Sequence, residues 1–188
     1  MNKNIYKLLI FSLLSIVFTQ CGNSGKFTIS KGKVGKLTTI TTINDLDNIF
    51  KNDSIVKNLS EGTLGDNYFQ DDDEYLIYEK GGKHLLTIIP QEQLDSTSTI
   101  KSIQIYDPRY STKTGISLES SFEDINLNNK ITKVETSLSS ATLFIDDLNV
   151  TISLDKEDLG LKNFSTQKIS IEQIPGLAKV KSFIVWFN

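Results

Sequence analysis

The chain has 188 residues, 38% hydrophobic and 23% charged, which suits one ordinary domain and neither a disordered chain nor a polytopic membrane protein. Its 20 basic and 23 acidic side chains give a net charge of −3, without the basic surplus of nucleic-acid binders, so no nucleic-acid partner is expected. One Cys and one His exclude a disulfide framework, a zinc knuckle, an iron–sulfur site and a Cys–His or multi-His catalytic centre within the chain, and no cofactor is expected.

Residues 1–20 read as a signal peptide. Lys3 and Lys7 give a positive start, and an uncharged apolar run from Leu8 to Phe18 follows. That run is shorter than the ~20 apolar residues a membrane span needs. It ends at Val17-Phe18-Thr19-Gln20 and then Cys21, the sole cysteine. This ending resembles a bacterial lipoprotein signal, in which the cysteine thiol takes a lipid through a thioether and becomes the new N-terminus. Phe18 and Gln20 stand where smaller residues are usual. The resemblance implies that Cys21 carries acyl chains such as palmitate, and several chains together anchor a protein stably. Residues 21–26 are then a lipidated tether. Loss of Lys3 and Lys7 takes the net charge from −3 to −5, so the domain is expected to stand off an anionic membrane surface. Gly22 to Gly25 lack the acidic run that resembles a surface-export signal in Bacteroidota. The expected location is therefore the outer membrane, facing the periplasm.

Residues 27–188 read as a single α+β domain, mostly antiparallel sheet with two short helices. Phe27 to Leu37 mixes β-formers with Gly32 and Gly35. Thr42-Ile43-Asn44-Asp45 is a helix-start signal, and Ile43, Leu46, Ile49 and Phe50 then recur at helical spacing. Ser54 to Leu59 predicts a strand, and Ser60 to Glu74 a long polar loop. The apolar runs Tyr75–Tyr78 and His84–Ile89 flank Gly81-Gly82, which predicts a hairpin. Thr99 to Tyr106 predicts a strand ended by Asp107-Pro108. After a second short helix, Lys130 to Leu138 predicts another strand. Leu143–Ile145 and Val150–Leu154 flank Asp146 to Asn149, a second hairpin. Lys168 to Ile174 predicts a further strand. Val180 to Phe187 is apolar on both faces, which predicts a central strand with Trp186 buried.

Thr42-Ile43-Asn44-Asp45-Leu46 and Ser121-Phe122-Glu123-Asp124-Ile125 match type for type, each with a glycine upstream at Gly35 or Gly115. The match fits either a duplicated strand–helix–strands unit or two independently N-capped helices.

Four features are candidates for chemistry. Asp71-Asp72-Asp73-Glu74 is the densest acidic run, but it lacks the alternate acids and central Gly of a calcium loop and reads as a solvated loop. His84, the sole imidazole, starts a strand beside Lys83 and reads as a surface histidine. Glu119 and Glu123, at i and i+4, read as an exposed helix face rather than a glycosidase pair. The segment Asp107 to Gly115 is the most distinctive: it contains the chain's only arginine and joins a strand to a helix start. Asp107, Arg109, Tyr110, Thr112 and Gly115 form the candidate binding loop, where Arg109 and backbone N–H groups would receive an anion or carboxylate. Alternatively, Arg109 pairs with Asp107 or another acid and Tyr110 packs as a lid. No catalytic or metal-ligating residue is assigned.

Three stretches carry a wider resemblance: Lys31-Gly32-Lys33-Val34-Gly35-Lys36-Leu37, Tyr110-Ser111-Thr112-Lys113-Thr114-Gly115-Ile116 and Ile174-Pro175-Gly176-Leu177-Ala178-Lys179-Val180-Lys181. With the signal, they resemble the small uncharacterised lipoproteins of Bacteroidota. The resemblance implies a lipid-anchored envelope protein, with a membrane attachment through its N-terminal lipid and an envelope protein or small ligand as partner. A non-enzymatic binding or accessory module is expected. The alternative is a lipid-anchored hydrolase or metal-dependent enzyme, which would need His84 and several carboxylates to converge in one cleft.

Overall fold

A computed structural model describes residues 25–60, 72–155, 157–160 and 168–187. The signal, Cys21, Asp71 and most of the long polar loop lie outside them. The α+β architecture is as expected. Twelve strands form two sheets, one of eight strands and one of four.

The small sheet begins the domain. β1 (Thr28–Ser30), β2 (Lys33–Val34) and β3 (Leu37–Thr38) are antiparallel neighbours, and β8 (Ser111–Thr112) lies parallel to β1. Gly35 is required at its turn. Its φ is +57°, and a Cβ there would stand 2.4 Å from the Lys26 carbonyl oxygen.

The large sheet is two meanders joined side by side. β4 (Ser54–Asn58), β5 (Glu74–Tyr78), β6 (His84–Pro90) and β7 (Ile100–Ile105) run in sequence order. So do β9 (Lys133–Thr136), β10 (Ser140–Ile145), β11 (Val150–Asp155) and β12 (Val180–Trp186), and β7 pairs with β12 in the middle. One cross-strand row reads Ile55, Ile77, Leu86, Ile105, Phe183, Ile152, Leu143 and Val134, apolar in all eight strands. This face meets buried residues of the small sheet and of α1 (Leu46–Ile49) and α2 (Phe122–Asn128) in one core. The adjacent row on the other face reads Leu76, Thr87, Gln104, Ile184, Thr151 and Phe144.

The matched helix starts occupy corresponding places in the two halves of the large sheet. Each meander is preceded by a short helix whose entry docks on the meander's last strand. Thr42 bridges Thr99, just before β7, and Ser121 bridges Lys179, just before β12. The Ile43 N–H donates to the Ser98 carbonyl at 3.0 Å, and the Phe122 N–H to the Ala178 carbonyl at 2.9 Å. Even the irregularities correspond: β6 and β7 shift register at Ile89/Pro90, and β11 and β12 at Ser153/Leu154. The starts share their capping chemistry. Asp45 accepts from the Thr42 N–H and hydroxyl at 2.8 Å each, and Asp124 from those of Ser121 at 2.8 and 2.7 Å.

Two expectations are corrected. Lys168 to Ile174 is not a strand. Residues 171–173 form a 3-10 turn, with the Ser170 N–H donating to the Gln173 side chain at 3.0 Å. Buried Ile169 and Ile174 pin the turn at both ends, so a tight local turn replaces the extended reading. Trp186 does lie on a central strand, but on the half-buried outer face, where its Nε1–H donates to the Thr151 hydroxyl at 3.1 Å. Alternation puts Phe183 and Val185 in the core instead.

Candidate functional site

The Gly81-Gly82 turn, with φ of +115° and +91°, brings the two ends of its hairpin together. It sets Glu79 and Lys83 beside the β7–β8 connection, which carries Asp107 and Arg109. Asp107 is fully buried. Its carboxylate accepts from the Arg109 backbone N–H at 2.9 Å, from Nε at 3.0 Å and from a terminal guanidinium nitrogen at 2.6 Å. Lys83 Nζ lies 3.0 Å from it. The other side of the Arg109 fork donates to both Glu79 oxygens, at 3.2 and 2.8 Å.

The titration of these groups follows from that geometry. Burial alone would push the Asp107 carboxyl up, but the hydrogen bonds from Arg109 and Lys83 outweigh it and hold the pKa at about 2. The Arg109 fork holds Glu79 below the usual carboxylate range, and Asp107 and Glu79 raise the arginine further. Burial, assisted by the Asp107 charge, raises the Tyr110 phenol. All four groups are therefore fixed in one protonation state near neutrality, which is the opposite of what a general acid or base needs.

The candidate loop is thus partly a clamp. Arg109 is engaged with Asp107 and Glu79 and also lies over the Phe27 ring, 4.4 Å from its centroid. Tyr110 is 2% exposed and meets Phe27 edge-on at 5.0 Å. Thr112 is buried, and its hydroxyl accepts from the Ile116 N–H at 3.1 Å. Gly115, at φ +84°, is exposed with open space around it. Of the two readings of the loop, the geometry matches the pairing of Arg109 with acids and the packing of Tyr110.

Tyr110 also forms part of the wall of a cleft of ≈ 770 Å³ between the small sheet and the end of α1. Val34, Phe50 and Tyr110 supply buried apolar walls. Lys26, Lys33, Lys36 and Lys51 line it with one acid, Asp53. Lys26 lies 3.9 Å from both Asp53 and Glu79, which links cleft and clamp. Lys33, Lys36 and Lys51 are exposed and pair with no acid among the described residues. The cleft is not legible in the sequence, because its lysines stand before β1, in and after β2, and after α1. The only local signal was the spacing of Lys33 and Lys36 around Gly35.

The remaining candidates act locally. His84 is stacked between Tyr78 and Tyr106, with ring centroids 4.7 and 4.0 Å away, and its Nε2 is 3.1 Å from the Thr87 hydroxyl. Burial lowers its pKa, opposed by a backbone hydrogen bond at Leu86. Asp73 is fully buried and accepts from the Ser60 N–H, the Ser60 hydroxyl and the Leu94 N–H at 2.8, 2.9 and 2.6 Å. Asp72 pairs with Lys101 at 3.6 Å. Among the described residues no three His, Cys, Asp or Glu side chains gather as a metal site. No described helix is long and apolar enough to cross a membrane.

No family model and no curated protein matches the chain. Among solved structures, the crystal structure of the uncharacterized protein yfeY from Escherichia coli is similar, with a TM-score of 0.53 at 12% identity. The match covers 85% of this chain and 99% of that one. At that identity the likeness extends to the fold alone.

Proposed function

We propose that the protein is a lipid-anchored, non-enzymatic binding module of the cell envelope, resembling the small lipoproteins of Bacteroidota. Cys21 carries its lipid, the outer membrane holds it facing the periplasm, and the partner is an envelope protein or small ligand. The observation that carries the binding reading is the cleft of ≈ 770 Å³, a volume in the range of small-molecule sites. Its lining offers ammonium groups and apolar walls, and the neighbouring Asp107, Arg109 and Glu79 are engaged with one another. Gly25, at its lip, is four residues from Cys21, so an extended tether reaches about 14 Å. A domain held that close to a membrane meets envelope partners at raised effective concentration. Labelling with a palmitate analogue tests the anchor. Wild type should incorporate label and partition with membranes, and Cys21→Ala should do neither. Unchanged labelling and partition in Cys21→Ala would refute the anchored reading.

A further inference from the structure

We propose that the lysine-lined cleft binds a phosphate-bearing molecule of headgroup size, held by Lys26, Lys33, Lys36 and Lys51. This rests on the reading of the cleft as a binding site and names the chemistry of its ligand.

The charge balance is the first argument. The chain is net −3, yet this cleft sets four lysines against one aspartate. Asp53 is drawn to Lys26, and no described acid offsets the other three. Four ammonium groups lining one cleft with apolar walls give it a positive potential that favours an anion.

The choice of side chain is the second. The single arginine forks onto the carboxylates of Asp107 and Glu79, the planar pairing that guanidinium favours. The cleft is left to lysines, compact charges with three rotatable donors each. They suit tetrahedral oxygens that present no single plane.

Backbone construction is the third. Gly35 brings the turn between Lys33 and Lys36 against the Lys26 carbonyl, an approach that any Cβ would block at 2.4 Å. The glycine thereby gathers three of the four lysines on one rim. The volume of ≈ 770 Å³ exceeds a bare oxyanion and leaves room for an organic group beside the phosphate. That ligand is either a lipid headgroup or a soluble phosphoester.

The test uses the purified full-length chain in neutral detergent micelles. Glycerol 3-phosphate is titrated as the soluble probe, and phosphatidylglycerol is mixed into the micelles as the lipid probe. Glycerol and citrate are the neutral and carboxylate controls. Saturable binding of a phosphate probe is expected, weakening as salt rises. The variant Lys33→Gln/Lys36→Gln/Lys51→Gln, whose substituted side chains are exposed, should melt like wild type and bind at least tenfold more weakly. Binding of glycerol 3-phosphate identifies a soluble ligand class. Binding of phosphatidylglycerol without glycerol 3-phosphate identifies a headgroup. Equal binding by the variant, or binding of neither phosphate probe, overturns the proposal. Preferential binding of citrate also overturns it, while leaving the cleft a binding site.

Discussion

Gln104 on β7 lies directly opposite Ile184 on β12, and the two halves of the large sheet are arranged symmetrically about that pair. On either side of it, Ile105 faces Phe183 and Ile103 faces Val185. The symmetry extends outward to the two register shifts and to the two capped helix starts.

Both caps should stabilise the domain, Ser121 the more so, because its hydroxyl also accepts from the Asp124 N–H at 3.3 Å. Thr42→Ala and Ser121→Ala each remove a hydroxyl bonded to the capping aspartate. Thr42→Ala should cost about 0.5–1 kcal/mol in urea unfolding and Ser121→Ala about 1–2 kcal/mol, and the double variant should cost the sum, because the sites share no partner. A larger cost at Thr42 than at Ser121 would contradict this reading.

Arg109→Ala should destabilise the domain strongly. It strips Asp107, which is buried, of its principal hydrogen bonds and leaves a charge with Lys83 as its remaining ion-pair partner. Because the backbone N–H of residue 109 and Lys83 still reach the carboxylate, the loss of the guanidinium donors should cost about 2–3 kcal/mol. Glu79→Gln, on the exposed side of the fork, should cost about 1 kcal/mol or less. Thermal melting of both variants checks the order. The clamp also means that an Arg109 substitution tests stability before it tests any partner.

Acid unfolding should reflect Asp107. Its folded pKa of about 2 lies below its ordinary value of 3.8. Its contribution is thus fully present above pH 3.8 and lost as pH falls through about 2. Arg109→Ala should move the acid transition upward, measurable by far-UV circular dichroism across pH 1–5.

His84 works at milder pH. The fold favours its neutral form, so stability should begin to fall as pH drops below the ordinary 6.5. His84→Phe keeps the aromatic stack and should flatten that slope in urea midpoints measured across pH 5–7.

Phe183→Ala should cost about 3–5 kcal/mol, because its ring is fully buried between Ile105 and Ile152. Trp186→Ala should cost only about 1–2 kcal/mol, since the indole is half-buried and loses one hydrogen bond, to Thr151. The reverse order in chemical denaturation would place the indole in the core.

Much of this fold is legible in local chemistry. Gly81-Gly82 marks one hairpin, and the paired Thr42/Asp45 and Ser121/Asp124 boxes mark both helix starts. The strand faces are harder. From Phe183 to Phe187 every residue is apolar, so composition does not say that Phe183 and Val185 face the core while Trp186 faces outward. At Lys168 to Ile174, Ile169 and Ile171 alternate as in a strand, yet Ile169 and Ile174 are the buried pair, at the two ends of a turn. The candidate loop was visible through Arg109, whereas its partner Glu79 lies thirty residues away and is reached only through the fold. The cleft was hidden for the same reason, since Lys26, Lys36 and Lys51 meet only after the small sheet and α1 pack.

The most direct test of the binding reading is site-specific photo-crosslinking in intact cells. A photoreactive residue replaces Asn52, which lines the cleft and is exposed, or Leu127, which is exposed on α2 and absent from the cleft lining. A discrete adduct from position 52, missing from position 127 and reduced in a Cys21→Ala background, is the predicted result. Equal labelling from both positions, or no adduct from position 52 in the anchored protein, would contradict it.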